Sequence, residues 1–215
     1  CALPILVSVD QLTITGNYEN GVGTLEEASV ILGRGTVSAS GELDAAQLSG
    51  NASIENLPLA TLLEFAASPV DATGEIGVDA AISGSLQNPE LQGEFSFENA
   101  SFQGRAIEDN FAGEFSYANS RVKLQTTNPE DIDVQVNGEI ALPPQPGFEN
   151  RIVADINIGG SGFELLGALS LGQAEWIEGE GNIAIAAETS YVDNPTAAIE
   201  NLEVNGDITF EDVLF

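Results

Sequence analysis

Apolar and polar residues alternate one for one along much of this chain. Ile76, Val78, Ala80 and Ile82 interleave with Glu75, Gly77, Asp79 and Ala81. Phe111, Gly113, Phe115 and Tyr117 interleave with Ala112, Glu114 and Ser116, and Val122 and Leu124 with Arg121, Lys123 and Gln125. The longest run sets Ile132, Val134, Val136, Gly138, Ile140 and Leu142 against Asp131, Asp133, Gln135, Asn137, Glu139 and Ala141. Leu202, Val204, Gly206, Ile208 and Phe210 repeat it against Glu203, Asn205, Asp207, Thr209 and Glu211. A period of two puts successive side chains on opposite faces of a strand. Each predicted strand therefore has one greasy and one wet face, as in antiparallel sheet with water on one side. Helix is predicted only over 56–66, where Pro58 falls in the first turn, and as a short turn over 163–171. Pro143, Pro144 and Pro146 predict a loop.

Composition adds that the chain is not a disordered acidic tail. Hydrophobic residues make up 43% of the 215 positions, despite a formal charge of −29. The cations are Arg34, Arg105, Arg121, Lys123 and Arg151, and only Arg121 and Lys123 are close in sequence. Phosphate-rich partners need clustered cations, so nucleic acid and anionic membrane surfaces are disfavoured. The acid reads as a solvated face that discourages strand edges from aggregating. The lack of methionine and the start at Cys1 predict an internal piece of a longer protein, with any export signal or anchor outside it. A lipidated Cys1 is the alternative reading.

Histidine is absent, which removes His-based triads and His-containing metal sites. A single cysteine allows no internal disulfide. No G-x-S-x-G elbow is present. Pairs such as Glu26-Glu27 or Glu130-Asp131 are expected by chance where carboxylates are this abundant. A non-enzymatic role is predicted, with no cofactor and no bound metal.

The chain also repeats itself. Val37-Ser-Ala-Ser-Gly-Glu-Leu43 parallels Val134-Gln-Val-Asn-Gly-Glu-Ile140, and Leu57 to Leu63 loosely parallels Phe163 to Leu169. Gly74-Glu-Ile-Gly77 parallels Gly179-Glu-Gly-Asn182, and Asn88-Pro89 parallels Asn194-Pro195. Gly93-Glu-Phe-Ser-Phe-Glu-Asn-Ala-Ser-Phe102 parallels Gly206-Asp-Ile-Thr-Phe-Glu-Asp-Val-Leu-Phe215. These anchors keep their order. They predict that 1–36 ends a preceding repeat, 37–133 is a first β-repeat and 134–215 a second, truncated one, all in one continuous body.

Gly84-Ser-Leu-Gln-Asn-Pro-Glu-Leu-Gln-Gly93 resembles the G-[ST]-L-x-N-P-x-L-x-G motif that recurs in the TamB family. The flanks agree: a glycine-led strand over 74–83, a second strand over 95–100 and Gly138 to Leu142 beyond. The second copy departs from the pattern, since Asp193-Asn-Pro195 lacks the preceding Gly-Ser-Leu. The acidic style is similar to the cyanobacterial and chloroplast-envelope branch. The family implies an all-β, elongated folded sheet, a β-taco or open groove, with an apolar interior and one or two very short helices. It implies a periplasmic location with an inner-membrane anchor elsewhere. It also implies a phospholipid or other acyl-chain ligand, and an outer-membrane barrel partner engaged through other regions of the full protein.

On that reading, the segment belongs to a bridge that conducts phospholipid between inner and outer membranes and assists outer-membrane protein assembly. The groove is predicted to be lined by Ile76, Val78, Ile82, Phe95, Phe97, Phe111, Phe115, Tyr117, Val122, Leu124, Val134, Val136, Ile140, Ile183, Ile185, Ile208 and Phe210. The competing readings are a calcium-dependent array of β-sandwich adhesin modules and a passive scaffold that docks outer-membrane protein strands. Period-two faces in general more often meet a second sheet in a dry core.

Overall fold

A computed structural model describes residues 9–61, 72–102, 105–106, 111–127, 132–159, 178–193 and 197–214. The chain is all-β and antiparallel, and it divides into two compact units. One comprises 1–84 and 93–110, the other 85–92 and 111–215.

The first unit is a meander of β1 (Gln11–Glu19), β2 (Val22–Leu32), β3 (Gly35–Asp44), β4 (Gln47–Pro58), β5 (Ala72–Gly84) and the part of β6 (Pro89–Phe102) from Gly93 onward. The short β7 (Arg105–Ala106) pairs with β6. Tight turns set the register. Asn20 and Gly21 both take positive φ, 53° and 92°, between β1 and β2. The β3–β4 turn is made by Ala45 and Ala46 at φ 45° and 71°. For a residue with a Cβ that region costs roughly 1–2 kcal/mol, so this turn is held by the ladder around it.

The second unit is a meander of β8 (Phe111–Ala118), β9 (Arg121–Thr126), β10 (Ile132–Glu139), β11 (Glu149–Gly159), β12 (Glu178–Val192) and β13 (Glu203–Leu214). Asn119 and Ser120 form the positive-φ turn between β8 and β9. A single short helix, α1 (Ala197–Glu200), precedes β13. The strand predicted over 131–142 stops at Glu139. Ile140 to Phe148 instead form the proline-bearing loop, which contains a cis Leu142–Pro143 bond. The helix predicted over 56–66 is seen only as a helical turn at 59–61, because Leu57 and Pro58 still belong to β4. Its remainder, the turn predicted over 163–171 and Trp176 lie outside the described residues.

Three strands share a local irregularity. On β4 the pairing with β5 shifts between Ile54 and Leu57, around Asn56 at φ 50°. On β6, Ser96 lies against Gly77 and Ser101 bonds Thr73, two same-face contacts of opposite parity. The strand therefore gains a residue between them, where Asn99 has φ 52°. On β13 the register against β12 slips between Glu211 and Leu214. The sequences are Ile54-Glu-Asn-Leu57, Phe97-Glu-Asn-Ala100 and Phe210-Glu-Asp-Val213. Asn tolerates the left-handed region better than most residues, and after the bulge Leu57 and Ala100 are each only 2% exposed.

Contacts between described strands run between ladder neighbours. Neither unit, among the described residues, folds a second sheet over the first. The fully buried hydrophobic residues among them are few: Leu57, Ala100, Tyr117, Ala141, Ile158 and Ile183.

Candidate functional site: the apolar face of each unit

Antiparallel partners share a face, so the pairing register shows where the apolar side chains gather. In the first unit one row runs Leu12, Val30, Val37, Ile54, Val78 across β1 to β5. The next holds Ile14, Ala28, Ala39, Ala52 and Ala80, and the third Gly16, Leu25, Gly41, Gly50 and Ile82. A fourth holds Tyr18, Gly23, Leu43 and Leu48. Small residues fill the middle rows and large ones the flanks.

The consequence is a crease. Gly41 and Gly50 face each other, and a Cβ on Gly50 would lie 2.3 Å from the Ser40 carbonyl oxygen. A Cβ on Gly41 would lie 2.5 Å from the Ser49 carbonyl oxygen. Only glycine permits this approach. Over the crease lies a hollow of about 680 Å³, walled by Tyr18, Leu25, Leu43, Leu48 and Ile82.

In the second unit, rows run Phe115, Leu124, Val136, Ala154, Ala187, Val204 and Tyr117, Val122, Gly138, Ile152, Thr189. Two more run Val134, Ile156, Ile185, Gly206 and Ile158, Ile183, Ile208. These four rows are almost wholly apolar.

The predicted groove residues thus fall on one face within each unit. Ile76, Val78, Ile82, Phe95, Phe97, Phe115, Val122, Leu124, Val134, Val136 and Ile185 are half-buried. Ile183 is only 3% exposed and acts as core, whereas Ile208 on the last strand is 52% exposed. The Phe97 ring has a local task, because a Cβ on Gly74 would sit 2.7 Å from its Cε2. Ile140 lies in the loop after β10, and its carbonyl accepts the Tyr117 hydroxyl at 3.0 Å. That buried phenol also accepts the Leu142 N–H at 3.0 Å, so Tyr117 fastens the loop. Asn150 accepts the Ala141 N–H at 2.9 Å beside it. The side chains of Phe111 and Phe210 lie outside the described residues. Alternation alone did not single out the β1 to β4 members, Leu12, Ile14, Leu25, Val37, Leu43 and Ile54. Alanine, glycine and serine dilute the apolar signal there, and counting parity through the Asn56 bulge recovers it.

The opposite faces are polar. In the first unit a second hollow of about 690 Å³ is bordered by Glu26, Glu27, Asp79 and Glu94. Its floor carries Ser38 and Ser53, whose hydroxyls lie 2.8 Å apart. In the second unit, Arg121, Lys123 and Arg151 come to one patch of β9 and β11, so Arg151 joins the pair that sequence proximity had isolated. Arg151 Nε donates to Glu188 at 2.6 Å. This bond holds the Glu188 carboxyl below its ordinary range and raises the Arg151 guanidinium. Both groups are solvent-facing, so the pair orders side chains more than it stabilises the fold.

The turn over 85–88 corrects one expectation. Its side-chain bond comes from Ser85, whose Oγ accepts the Asn88 N–H at 3.1 Å, alongside reciprocal backbone bonds between the same residues. A serine hydroxyl three residues upstream reaches that N–H as an ST-turn does. Among the described residues no three or more His, Cys, Asp or Glu side chains group to hold a metal ion, and no helix is long and apolar enough to cross a membrane. Comparison with family models, curated proteins and solved structures finds no match to the chain.

Proposed function

We propose that each unit offers its apolar face as a cradle for acyl chains, and that the chain is a section of a phospholipid-conducting bridge between two membranes. The supporting observation is the set of apolar cross-strand rows left half-exposed, with no second sheet laid on them among the described residues. A face of this kind gains free energy by covering, at about 0.8 kcal/mol per methylene removed from water. The rows run perpendicular to the strands. Five strands at a spacing of ~4.8 Å make a row of about 19 Å. One leaflet of a bilayer holds chains to a depth of about 15 Å, so one row in the first unit matches one extended chain. The crease at Gly41 and Gly50 gives that chain a floor, and the polar face stays in water. No fixed donor is required along the rows, so a chain is free to slide.

Native mass spectrometry of the purified protein tests the reading. The expected result is adducts with phospholipid masses that are stripped by detergent and restored by phospholipid vesicles. A protein that carries no lipid and takes none up from vesicles overturns it.

A further inference from the structure

We propose that β1 is a self-pairing edge, through which two copies of this chain join by antiparallel β1–β1 pairing across a two-fold axis. β1 begins the ladder of the first unit and has one hydrogen-bonded neighbour, β2, among the described residues. Its apolar side chains are the most exposed of their rows, with Leu12 at 60%, Ile14 at 65% and Tyr18 at 75%. Its other face carries Gln11, Thr13, Thr15 and Asn17, with Glu19 at the very end. Edge strands are normally guarded by charge, proline, bulges or shortness. β1 has nine residues, one terminal carboxylate and no proline, and the bulge in this pair lies on β2.

The end strand of the second unit is built differently. β13 sets Glu203, Asp207 and Glu211 between its exposed Val204 and Ile208, the guard expected of an edge kept from pairing. In a chain of −29, the uncharged strand is the exception.

A second copy fits this edge because the strand is complementary to itself. Pairing Thr15 with Thr15 of the other copy aligns all nine residues. Leu12 then faces Tyr18, Ile14 faces Gly16, and Thr13 faces Asn17, with apolar residues on one face and neutral polar ones on the other. Each Glu19 meets Gln11 rather than its own twin, and each Asp10 falls beyond the paired strand. The partner's strand continues the rows of Leu12 and Ile14 without interruption. The remaining obstacle is long-range repulsion between two acidic bodies, which salt screens to about 8 Å at physiological ionic strength. Pairing through β1 should therefore tighten as salt rises, opposite to an association made by ion pairs.

Sedimentation velocity of the delipidated chain over a range of concentrations, at about 0.03 M and about 0.5 M salt, reads the equilibrium. A monomer–dimer equilibrium shifted toward dimer at the higher salt is expected. Thr15→Lys should abolish the dimer while leaving the monomer folded by circular dichroism. It sets like charges opposite each other across the axis, yet faces Glu27 within its own sheet. In a Cys1→Ser background, Thr15→Cys should give a disulfide-linked dimer on mild oxidation, whereas Thr209→Cys on β13 should not. A chain that stays monomeric throughout, a dimer that survives Thr15→Lys, or cross-linking as efficient at position 209 overturns the proposal.

Discussion

The Tyr117 hydroxyl accepts the backbone N–H of Leu142 at 3.0 Å, 25 positions along the chain. The same oxygen donates to Ile140. One buried phenol thus ties β8 to the loop that follows β10, where the alternation of the sequence would have continued a strand. Tyr117→Phe keeps the ring but orphans the Leu142 N–H. Denaturant unfolding should show a loss of about 1–3 kcal/mol, larger than for an exposed tyrosine such as Tyr18→Phe.

Filling the crease separates packing from ligand capture. Gly50→Ala places a methyl against the Ser40 carbonyl oxygen. It should cost about 1–3 kcal/mol as the strands are pushed apart. It should also weaken uptake of a fluorescent fatty acid by the first unit. Ala80→Gly, in the neighbouring row, should leave uptake intact.

Charge on the apolar face distinguishes a wet cradle from a dry core. Val136 is half-buried and Ile183 nearly fully so. Val136→Asp should abolish acyl-chain binding at a moderate loss of stability. Ile183→Asp should cost roughly 3–5 kcal/mol, the range for an uncompensated buried charge, and be read as a large drop in melting temperature. Equal, outright unfolding in both variants would mean that the Val136 side of the face is sealed.

The alanine turn offers a gain. Ala45 and Ala46 occupy φ 45° and 71°, the geometry for which an Asn-Gly dipeptide is preferred. The double substitution Ala45→Asn with Ala46→Gly is expected to raise stability by roughly 1–2 kcal/mol, measured as a higher denaturation midpoint with an unchanged slope.

The ion pair of Arg151 and Glu188 sets a pH dependence of known sign. The folded-state carboxyl titrates below its unfolded value. Its stabilising effect is thus present at neutral pH and above the unfolded value, and fades as pH falls through the folded one. Because both partners face solvent, Glu188→Gln should leave the neutral-pH melting temperature nearly unchanged and slightly flatten the acid limb of a stability–pH curve.

Much of the architecture was legible from alternation, because a period of two has one structural meaning when it recurs over many strands. The faces of β5, β9, β10 and β12 follow directly from Val78, Leu124, Val136 and Ile185. The first four strands were harder to read, since Ala28, Ala39, Ala52, Gly41 and Gly50 carry little hydrophobic signal although they form the floor of the hollow. Ile140 was placed on a strand because its parity fits. The competing influence is Tyr117 together with Asn150, whose long-range bonds to the loop no local pattern announces. The clustering of Arg151 with Arg121 and Lys123 was likewise invisible, since it depends on β10 lying between β9 and β11.

The bulges at Asn56 and Asn99 bear on how such a chain tolerates change in length. Elsewhere on these strands, gaining or losing one amino acid would turn every later side chain inside out, so length can drift only in twos. At a bulge a single deletion is a switch of parity: removing Asn56 would send Leu57 outward and bring Pro58 in its place. The Glu-Asn signature therefore marks the few points where an odd change is already built in, and where its removal would scramble the inside–outside assignment of all that follows on the strand.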